Sequence, residues 1–298
     1  MLYGLLLALI PATVRMSLPI LFASSGGYFS EKSGVPQIAL EAYLLTGAFS
    51  AAATVYFSGS LILGYFVAAI VALSFSQIFN ILIFIFKANA IVIGTGMNLL
   101  AMGLIPLVSK ILFDSTGSTP VISNGDFFSD YSLYTASVVT LFMLLGCFWL
   151  AEKSKWGLQI KFAGEKSDAL RSIGVSPTVR RWQAVSFSAL VTGLGGAILS
   201  TYLASAYSPM MSAGRGFIAL AAVIFAGWSL KKSWIVVLFF GLAEALQIQL
   251  QNMTLSFYDL VIKIPNEFIQ MLPYVATLIA LLILRHKQLA PKEIGQNL

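Results

Sequence analysis

The sequence has very little of the chemistry that enzymes use. Its 298 residues include one histidine and one cysteine. His286 lies near the carboxyl end, so neither a serine–histidine pair inside an apolar segment nor a pair of histidine metal ligands can be assembled. Cys147 lies inside an apolar run, and a single cysteine forms no disulfide or cysteine metal site within the chain. We therefore expect this chain to catalyse no bond chemistry and to hold no cofactor or metal of its own.

Charged residues are also scarce, and their scarcity identifies the solvent. Only 10% of the residues are charged, 58% are hydrophobic, and the mean hydropathy is +0.87. A soluble domain of this length cannot bury so many apolar side chains, so the surrounding medium must be lipid. The net charge of +6 does not indicate a nucleic-acid partner, because the basic residues lie in one loop and beside the apolar runs. The sequence predicts an all-α, polytopic helical bundle, with residues 1–298 as a single transmembrane domain.

The one long polar stretch, residues 152–182, is the feature around which the chain is organised. It holds seven of the eighteen basic residues and only three acidic ones. Such an excess marks a cytoplasmic loop in a polytopic membrane protein. Residues 164–167, GEKS, superficially resemble a phosphate-binding loop, but the glycine spacing fails and no strand precedes them. If the protein works with ATP, another subunit must bind it.

A short amphipathic helix is predicted inside this loop. Glu165 and Asp168 fall in its first turn, Arg171 falls in its last turn, and Gly174 follows as a candidate for a left-handed C-terminal conformation. The apolar members of the helix share one face; they are Ala169, Leu170 and Ile173. Pro177, which follows a serine, predicts the start of the next long helix. The pattern fits either a solvated surface helix or a docking element.

Apolar runs separated by polar turns predict about nine membrane spans. They cover approximately residues 1–24, 37–57, 60–86, 90–113, 132–151, 183–206, 214–230, 234–250 and 268–284. The connection 114–131 contains three aspartates and no lysine or arginine, a composition typical of the outer face. With nine spans, the basic residues at 231–232 and in the tail after 284 fall inside. We therefore predict an amino terminus outside and a carboxyl terminus in the cytoplasm.

Three ionisable residues interrupt the apolar runs: Arg15, Glu41 and Glu244. Each would cost about 3 kcal/mol at the centre of a bilayer, so each must face protein or water. Arg15 paired with one of the two glutamates is the simplest arrangement. A structural ion pair and a role in a permeation path are the two alternatives for this group.

The fourth predicted span is interrupted by small and polar residues. Its segment IGTGMNLLAMG contains Gly94, Gly96 and Asn98, and an amide there is poorly placed against lipid. Together with Glu41 and Glu244, these three residues are candidates for lining a solute path. Small residues at four-residue spacing predict close helix crossings elsewhere. They are Gly47 with Ala51, Gly193 with Ala197, and Gly196 with Ser200.

Five segments resemble permease subunits of bacterial ABC importers for nucleosides and simple sugars, a group related to the branched-chain amino acid permeases. The polar-loop segment GLQIKFAGEKSDALRSIGVSP is similar to the cytoplasmic coupling segment of that family. The other four are SGVPQIALEAYLLTGAF, IVIGTGMNLLAMGL, GRGFIALAAVIFAGW and GLAEALQIQLQ. They occur in family order and resemble the shorter nucleoside permease most. The first of these four departs from the family pattern at Gln37, Ala39 and Ala42, where the family has asparagine and two glycines.

The resemblance implies a permease domain of the type II importer fold in a bacterial cytoplasmic membrane. It implies three partners: a second, non-identical permease, an ATPase subunit with two nucleotide-binding domains that holds ATP and Mg²⁺, and a substrate-binding lipoprotein. It also implies that the loop helix docks onto the ATPase. The residues assigned to this coupling role are Gly164, Glu165, Lys166, Ala169, Leu170, Arg171, Ile173 and Gly174.

Other functions remain as alternatives. A simple-sugar permease would fit the same family. An ion-coupled secondary transporter would use midplane carboxylates such as Glu41 and Glu244, but the sequence has no convincing internal repeat. An intramembrane enzyme would need an acid, base or nucleophile constellation, which a single histidine and a single cysteine do not supply.

Overall fold

The structure, a computed structural model, describes residues 2–122, 126–251, 255–257, 260–262, 271, 275 and 290–295. Most of these residues are helical. The helices are α1 (Leu2–Lys32), α2 (Leu40–Ser58), α3 (Leu61–Asn80), α4 (Ala90–Phe113), α5 (Asp126–Glu152), α6 (Lys155–Glu165), α7 (Ser167–Ser172), α8 (Pro177–Ile198), α9 (Arg215–Phe225) and α10 (Leu230–Gln251). Two short strands, β1 (Leu255–Phe257) and β2 (Leu260–Ile262), pair antiparallel. The described part of the chain is therefore a helical bundle with one added hairpin, which the all-α prediction did not include.

Six described helical segments are long and apolar enough to cross a membrane. They are Leu9–Lys32, Leu61–Ile85, Ala90–Phe113, Asp130–Glu152, Pro177–Leu203 and Leu230–Gln251. Two of them end in π-helical turns, at Ile81–Ile85 and Leu199–Leu203. The predicted ninth span, 268–284, lies outside the described residues except at positions 271 and 275. These helices make the chain a multi-pass membrane protein, and the count of nine stays a prediction.

Helix α2 corresponds to the second predicted span but is not one of those six. It is enclosed by α3, α4, α8 and α9, and fifteen of its nineteen residues are buried. A helix with protein on every side has no face that must be apolar enough for lipid, so glycine, alanine, serine and threonine replace larger apolar residues. Its position makes α2 the centre of the bundle.

Helix α1 is longer than predicted. The polar residues after Ser24 were expected to form a turn, yet the helix continues to Lys32. The hydroxyls of Ser24 and Ser33 bond to backbone carbonyls three residues earlier, which satisfies them without water. Gly26 leaves the room that the backbone oxygen of Ser188 occupies, 2.5 Å from where a Cβ would lie. Packing against α8 therefore keeps this polar sequence helical.

The predicted crossings of small residues are present at the centre of the bundle. A Cβ at Gly47 would lie 2.7 Å from Cα of Gly193, so α2 and α8 touch backbone to backbone. Gly196 likewise faces the backbone of Leu44 and Ala48. Such close approach is possible only where a side chain is missing. The prediction of close helix crossings is confirmed at Gly47, Gly193 and Gly196, and the structure identifies α2 and α8 as the helices that cross.

Only part of the seventh predicted span, which was itself a short one, is helical. Helix α9 contains 11 residues, about 16 Å of helix, and a bilayer core is about 30 Å thick. The residues before α9, from Ala204 to Gly214, are irregular. Three of them adopt positive φ without being glycine: Ser205, Met210 and Ala213. Of the short span predicted at 214–230, the stretch Arg215–Phe225 therefore forms the helix.

The two ends of the bundle are marked by contacts between distant parts of the chain. At the end that carries α6 and α7, called the loop end below, Lys32 at the end of α1 forms an ion pair with Glu165. At the opposite end, the amides of Thr119 and Ile122 donate to the carbonyls of Tyr207 and Ser205. The connections 114–122 and 204–207 therefore lie together, away from the polar loop.

Candidate functional site

Helix α2 begins inside the bundle rather than at its surface. Its amino terminus lies against Asn98, which is about eight residues, or about 12 Å of helix, from the start of α4. The amide of Ala42 donates to Oδ1 of Asn98 at 2.9 Å, and Nδ2 of Asn98 donates to the carbonyl of Ile38 at 3.0 Å. Residue 39, at the N-cap of α2, provides no side-chain cap. Asn98 therefore caps α2 from a neighbouring helix.

Glu41 lies in the first turn of α2 and binds the amino terminus of α9. Its Oε1 accepts from the amide of Gly214 at 2.9 Å and from the hydroxyl of Ser212, and its Oε2 accepts from the amide of Gly216 at 2.7 Å. The carboxylate is buried, with 3% of the residue exposed. Helix amino termini carry partial positive charge, so one anion between two of them is stabilised by both. We call this meeting point of α2 and α9, with Glu41 and Asn98, the helix break.

Glycines allow the segments at the helix break to approach so closely. A Cβ on Gly216 would lie 2.7 Å from Cα of Glu41, and one on Gly94 would lie 2.9 Å from Cβ of Ile38. Gly94 therefore lets the chain before α2 cross α4. Gly96 is different: it is exposed on the outward face of α4, and a Cβ there would meet nothing within 4 Å. The structure thus brings Gly94, Asn98 and Glu41 together and leaves Gly96 apart.

Glu244 is also near the helix break, but its partner differs from the prediction. Its Oε2 accepts from Arg215, the first residue of α9, with a closest distance of 3.1 Å. Arg15 pairs with neither glutamate. Its guanidinium lies 5.2 Å from the ring centre of Tyr202 and beside a cavity of about 490 Å³ between α1 and α5. Arg215 reaches Glu244 because it begins α9, directly after the irregular residues 204–214.

The coupling segment forms two helices where one was expected. Helix α6 ends at Glu165, the backbone of Lys166 is extended (φ −153°, ψ 83°), and α7 covers six residues. Glu165 therefore ends one helix and does not begin the next. Gly174 has φ +75°, as predicted for a left-handed C-terminal residue, and Pro177 starts α8 as predicted.

The side chains of α7 divide into two sets. Ala169 and Arg171 are exposed, together with Lys166 before the helix and Ile173 directly after it. Leu170 is buried, with 1% of the residue exposed. The predicted apolar face of three residues is thus split, because α7 packs on α6 and α8 and Leu170 is buried there. Only Ala169 and Ile173 of that set are available to a partner.

The sequence analysis missed three candidate functional residues, because their roles depend on tertiary contacts. Arg181, counted only as a topological charge, is 3% exposed and donates to the carbonyls of Ser33 and Ala163. Glu31, placed in a turn, is buried and accepts from the amide of Gln37 and from Nε1 of Trp228. Glu293 contacts Arg181 from the far end of the sequence. A polar residue beside an apolar run was the signal available for Arg181 and Glu31.

Known proteins similar to this chain include three permease proteins of ABC transporters. The nucleoside ABC transporter permease protein NupC of Lactococcus lactis subsp. cremoris is 31% identical, covering 94% of this chain and 93% of its own length. The guanosine ABC transporter permease protein NupQ of Bacillus subtilis is 30% identical, covering 96% and 95%. A putative glucose ABC transporter permease protein, TsgC13 of Haloferax volcanii, is 28% identical, covering 83% and 79%.

No solved structure matches this chain. The family described as "Branched-chain amino acid transport system / permease component" matches residues 9–281, a range that contains the helix break, the polar loop and all six candidate membrane helices. The resemblance read from the five sequence segments is confirmed: this chain belongs to the family of permease components of branched-chain amino acid transport systems.

Proposed function

We propose that this chain is a permease subunit of an ATP-driven importer and that it passes nucleosides into the cell. The observation that carries the proposal is the alignment, over nearly the whole chain, with a nucleoside permease and a guanosine permease. In the proposed complex, a substrate-binding lipoprotein delivers the solute and a second, non-identical permease completes the path. A separate ATPase subunit with two nucleotide-binding domains holds ATP and Mg²⁺.

The proposed topology has nine spans, with the amino terminus outside and the loop end in the cytoplasm. The shortness of α9 does not change this count. Residues 205–207 contact the connection 114–122 at one end of the bundle, and Trp228 contacts Glu31 near the loop end. Residues 204–229 thus cross the bundle once, first as irregular chain and then as α9. This arrangement keeps every basic cluster inside, as the distribution of lysine and arginine favours.

In the proposed mechanism, the beginning of α2 and the beginning of α9, which meet at the helix break, move relative to each other. Lys32, the last residue of α1, contacts Glu165 at the loop end, and Ser33, which follows it, contacts Arg181. Glu31 ties the same turn to Trp228, just after α9, and Glu41 holds the beginning of α9. A displacement of α6 and α7 would therefore reach both ends of α9 through contacts in one short segment. We propose that the solute path lies beside Glu41, Gly94, Asn98 and Glu244, where this displacement arrives.

Uptake by the whole importer tests the substrate. Uptake of radiolabelled guanosine, uridine or glucose is compared between cells carrying all subunits and cells lacking only this chain. We expect guanosine or uridine uptake that needs this chain and stops when ATP is depleted. Uptake that survives ATP depletion and stops with an uncoupler would indicate a secondary transporter instead.

A simple-sugar permease is the second candidate, because the similarity extends to the putative glucose permease of Haloferax volcanii. The same experiment separates the two candidates. Glucose uptake dependent on this chain, with no nucleoside uptake, would replace the proposed substrate while leaving the transport role in place.

The subunit composition of the purified complex tests whether the second permease is a different chain. Two copies of this chain with different affinity tags are produced together with the other subunits. If the permease pair is non-identical, purification through one tag should recover the ATPase and the other permease but not the second tagged copy. Recovery of both tagged copies in one complex, without another permease, would contradict this part of the proposal.

A further inference from the structure

The segment 290–295, called the clasp below, lies far from the polar loop in the sequence but packs directly on it. The carbonyl of Gly164 accepts from the amide of Glu293 at 2.9 Å, and the carbonyl of Gly34 accepts from the amide of Gly295 at 2.9 Å. Ala290 and Ile294 pack against the apolar core. The clasp therefore joins the end of α6 to the turn between α1 and α2 through its backbone.

The Glu293 side chain completes this junction. Its Oε1 accepts from the amide of Ser167 at 2.7 Å, and its Oε2 accepts from Arg181 at 2.8 Å. Ser167 is the first residue of α7, and residue 166 before it provides no side-chain cap. Burial alone would raise the pKa of the Glu293 carboxyl, but the Ser167 amide and the Arg181 guanidinium outweigh it and lower the pKa below its ordinary value. Glu293 is therefore a charged cap for α7 supplied by the clasp.

The backbone segments at this junction are tightly packed. A Cβ on Gly164 would collide with the carbonyl oxygen of Lys32 and would lie 3.0 Å from the amide nitrogen of Gly34. Gly34 has φ +94°, a conformation for which glycine is suited. Arg181 reaches Ser33, Ala163 and Glu293 with one guanidinium group. Four parts of the chain thus meet here: α1 with its following turn, the α6–α7 joint, α8 and the clasp.

We infer that Glu293 is a positioning residue for energy coupling: it fixes the start of α7 to Arg181 and to the α1–α2 turn, so that displacement of α7 moves the turn that leads to the helix break. This inference rests on the proposed function, because it assumes that α7 receives force from an ATPase. Without Glu293, α7 keeps its exposed docking side chains but loses the anchor of its amino terminus. Docking then continues while the displacement is absorbed at Lys166.

The test uses the complete importer in proteoliposomes and measures guanosine taken up per ATP hydrolysed. Glu293→Ala should lower this ratio by about fivefold or more, the scale of a typical coupling energy, with normal subunit composition and continued ATP hydrolysis. Lys292→Ala is the matched control, because Lys292 is the exposed neighbour of Glu293, and it should keep the wild-type ratio. A wild-type ratio in Glu293→Ala would overturn the inference.

Glu293→Gln serves if Glu293→Ala assembles poorly. The glutamine keeps an oxygen for the Ser167 amide but loses the charge that faces Arg181, so its ratio should fall below that of the wild type. A wild-type ratio in Glu293→Gln would then overturn the role of Glu293.

A measurement that needs no solute tests the positioning role of Glu293 independently of which substrate is carried. Hydrogen exchange of the amides of Gly214 and Gly216 is compared with and without MgATP in the wild-type and Glu293→Ala complexes. We expect a MgATP-dependent change at these amides in the wild type and its loss in the variant. If wild-type complex takes up no guanosine but shows this pattern, the proposed substrate fails and the positioning role stands; the same change in both complexes rejects the positioning role.

Discussion

Glu41 holds two helix ends with one side chain, which makes it the most constrained carboxylate of the helix break. All three of its partners are donors: the hydroxyl of Ser212 and the amides of Gly214 and Gly216. Glu41→Gln would turn an NH₂ group toward one of these donors and remove the charge that both helix termini favour. We expect a loss of stability of about 1–3 kcal/mol, seen as a lower melting temperature of the purified complex, with reduced uptake.

Glu165→Gln is the matched control for this prediction. It makes the same chemical change in an ion pair with Lys32 whose carboxylate is more than a third exposed, and exposed pairs contribute at most about 1 kcal/mol. Its melting temperature should stay close to that of the wild type. Wild-type stability in Glu41→Gln would mean that the cap contributes little. Normal stability with loss of uptake would place Glu41 in the solute path instead.

Two glycines of the membrane helices should respond oppositely to alanine. Gly47 faces the backbone of Gly193, so Gly47→Ala must push α2 and α8 apart, whereas Gly96 has open space around it. Overpacking of a tight core costs about 1–3 kcal/mol, and alanine is favoured over glycine in a helix by about 1 kcal/mol. We expect Gly47→Ala to lower the melting temperature and Gly96→Ala to leave it unchanged or raise it. Equal melting temperatures for the two variants would contradict the crossing seen here.

Most helices could be predicted because their cause is local, and α9 could not because its cause is distant. The apolar run from 214 to 230 has the composition of a short span. Its helix starts only at Arg215, after irregular residues whose last amide, that of Gly214, donates to Glu41, more than 170 positions earlier in the chain. The break between α6 and α7 at Lys166 also has a distant cause, since Glu293 caps the start of α7. A sequence window contains neither partner, so neither break has a local signal.

The exposed face of α7 supports a sharper docking prediction than the sequence did. Ala169 and Ile173 are exposed, whereas Leu170 packs inward. Ala169→Asp should uncouple uptake by placing a charge in the proposed ATPase contact, while the permease remains as stable as the wild type. Leu170→Asp should destabilise the permease itself, because it buries an unpaired charge in the chain. Co-purification of the ATPase and the melting temperature together check both outcomes; wild-type uptake by Ala169→Asp would count against docking.

The clasp should be insensitive to pH near neutrality. The pKa of Glu293 is lowered in the folded chain, so its contribution to stability is complete above the ordinary glutamate pKa and is lost only as the pH falls through the lowered value. Between about pH 5 and pH 8, Glu293 stays charged and the anchor of α7 stays intact. Hydrogen exchange at the Ser167 amide, corrected for its intrinsic pH dependence, should show constant protection over this range. A gradual loss of protection between pH 7 and pH 5 would contradict this charge state.

The parts of the candidate site also differ in how far they could be foreseen. Glu41, Asn98 and Gly94 were singled out because polar or small residues in an apolar helix need a particular environment, and they do meet in space. The pairing of Arg15 failed, because nothing in the sequence indicates that residues 204–214 bring Arg215 to Glu244 first. Residue type thus predicted which positions are special, and only the folded chain determines their partners.

The proposed orientation of the whole bundle rests on where the basic residues lie, and it can be tested by labelling. The two test positions are Asp168, on α7, and Ser118, in the connection near Tyr207, and both are exposed. The background variant Cys147→Ser removes the only cysteine, which is buried in α5. A membrane-impermeant maleimide added to intact cells should label Ser118→Cys and leave Asp168→Cys unlabelled until the membrane is permeabilised. The reverse pattern would mean the opposite orientation, with α7 and the clasp outside, where no cytoplasmic ATPase reaches them. Labelling of both positions in intact cells would show that they do not lie on opposite faces of the membrane.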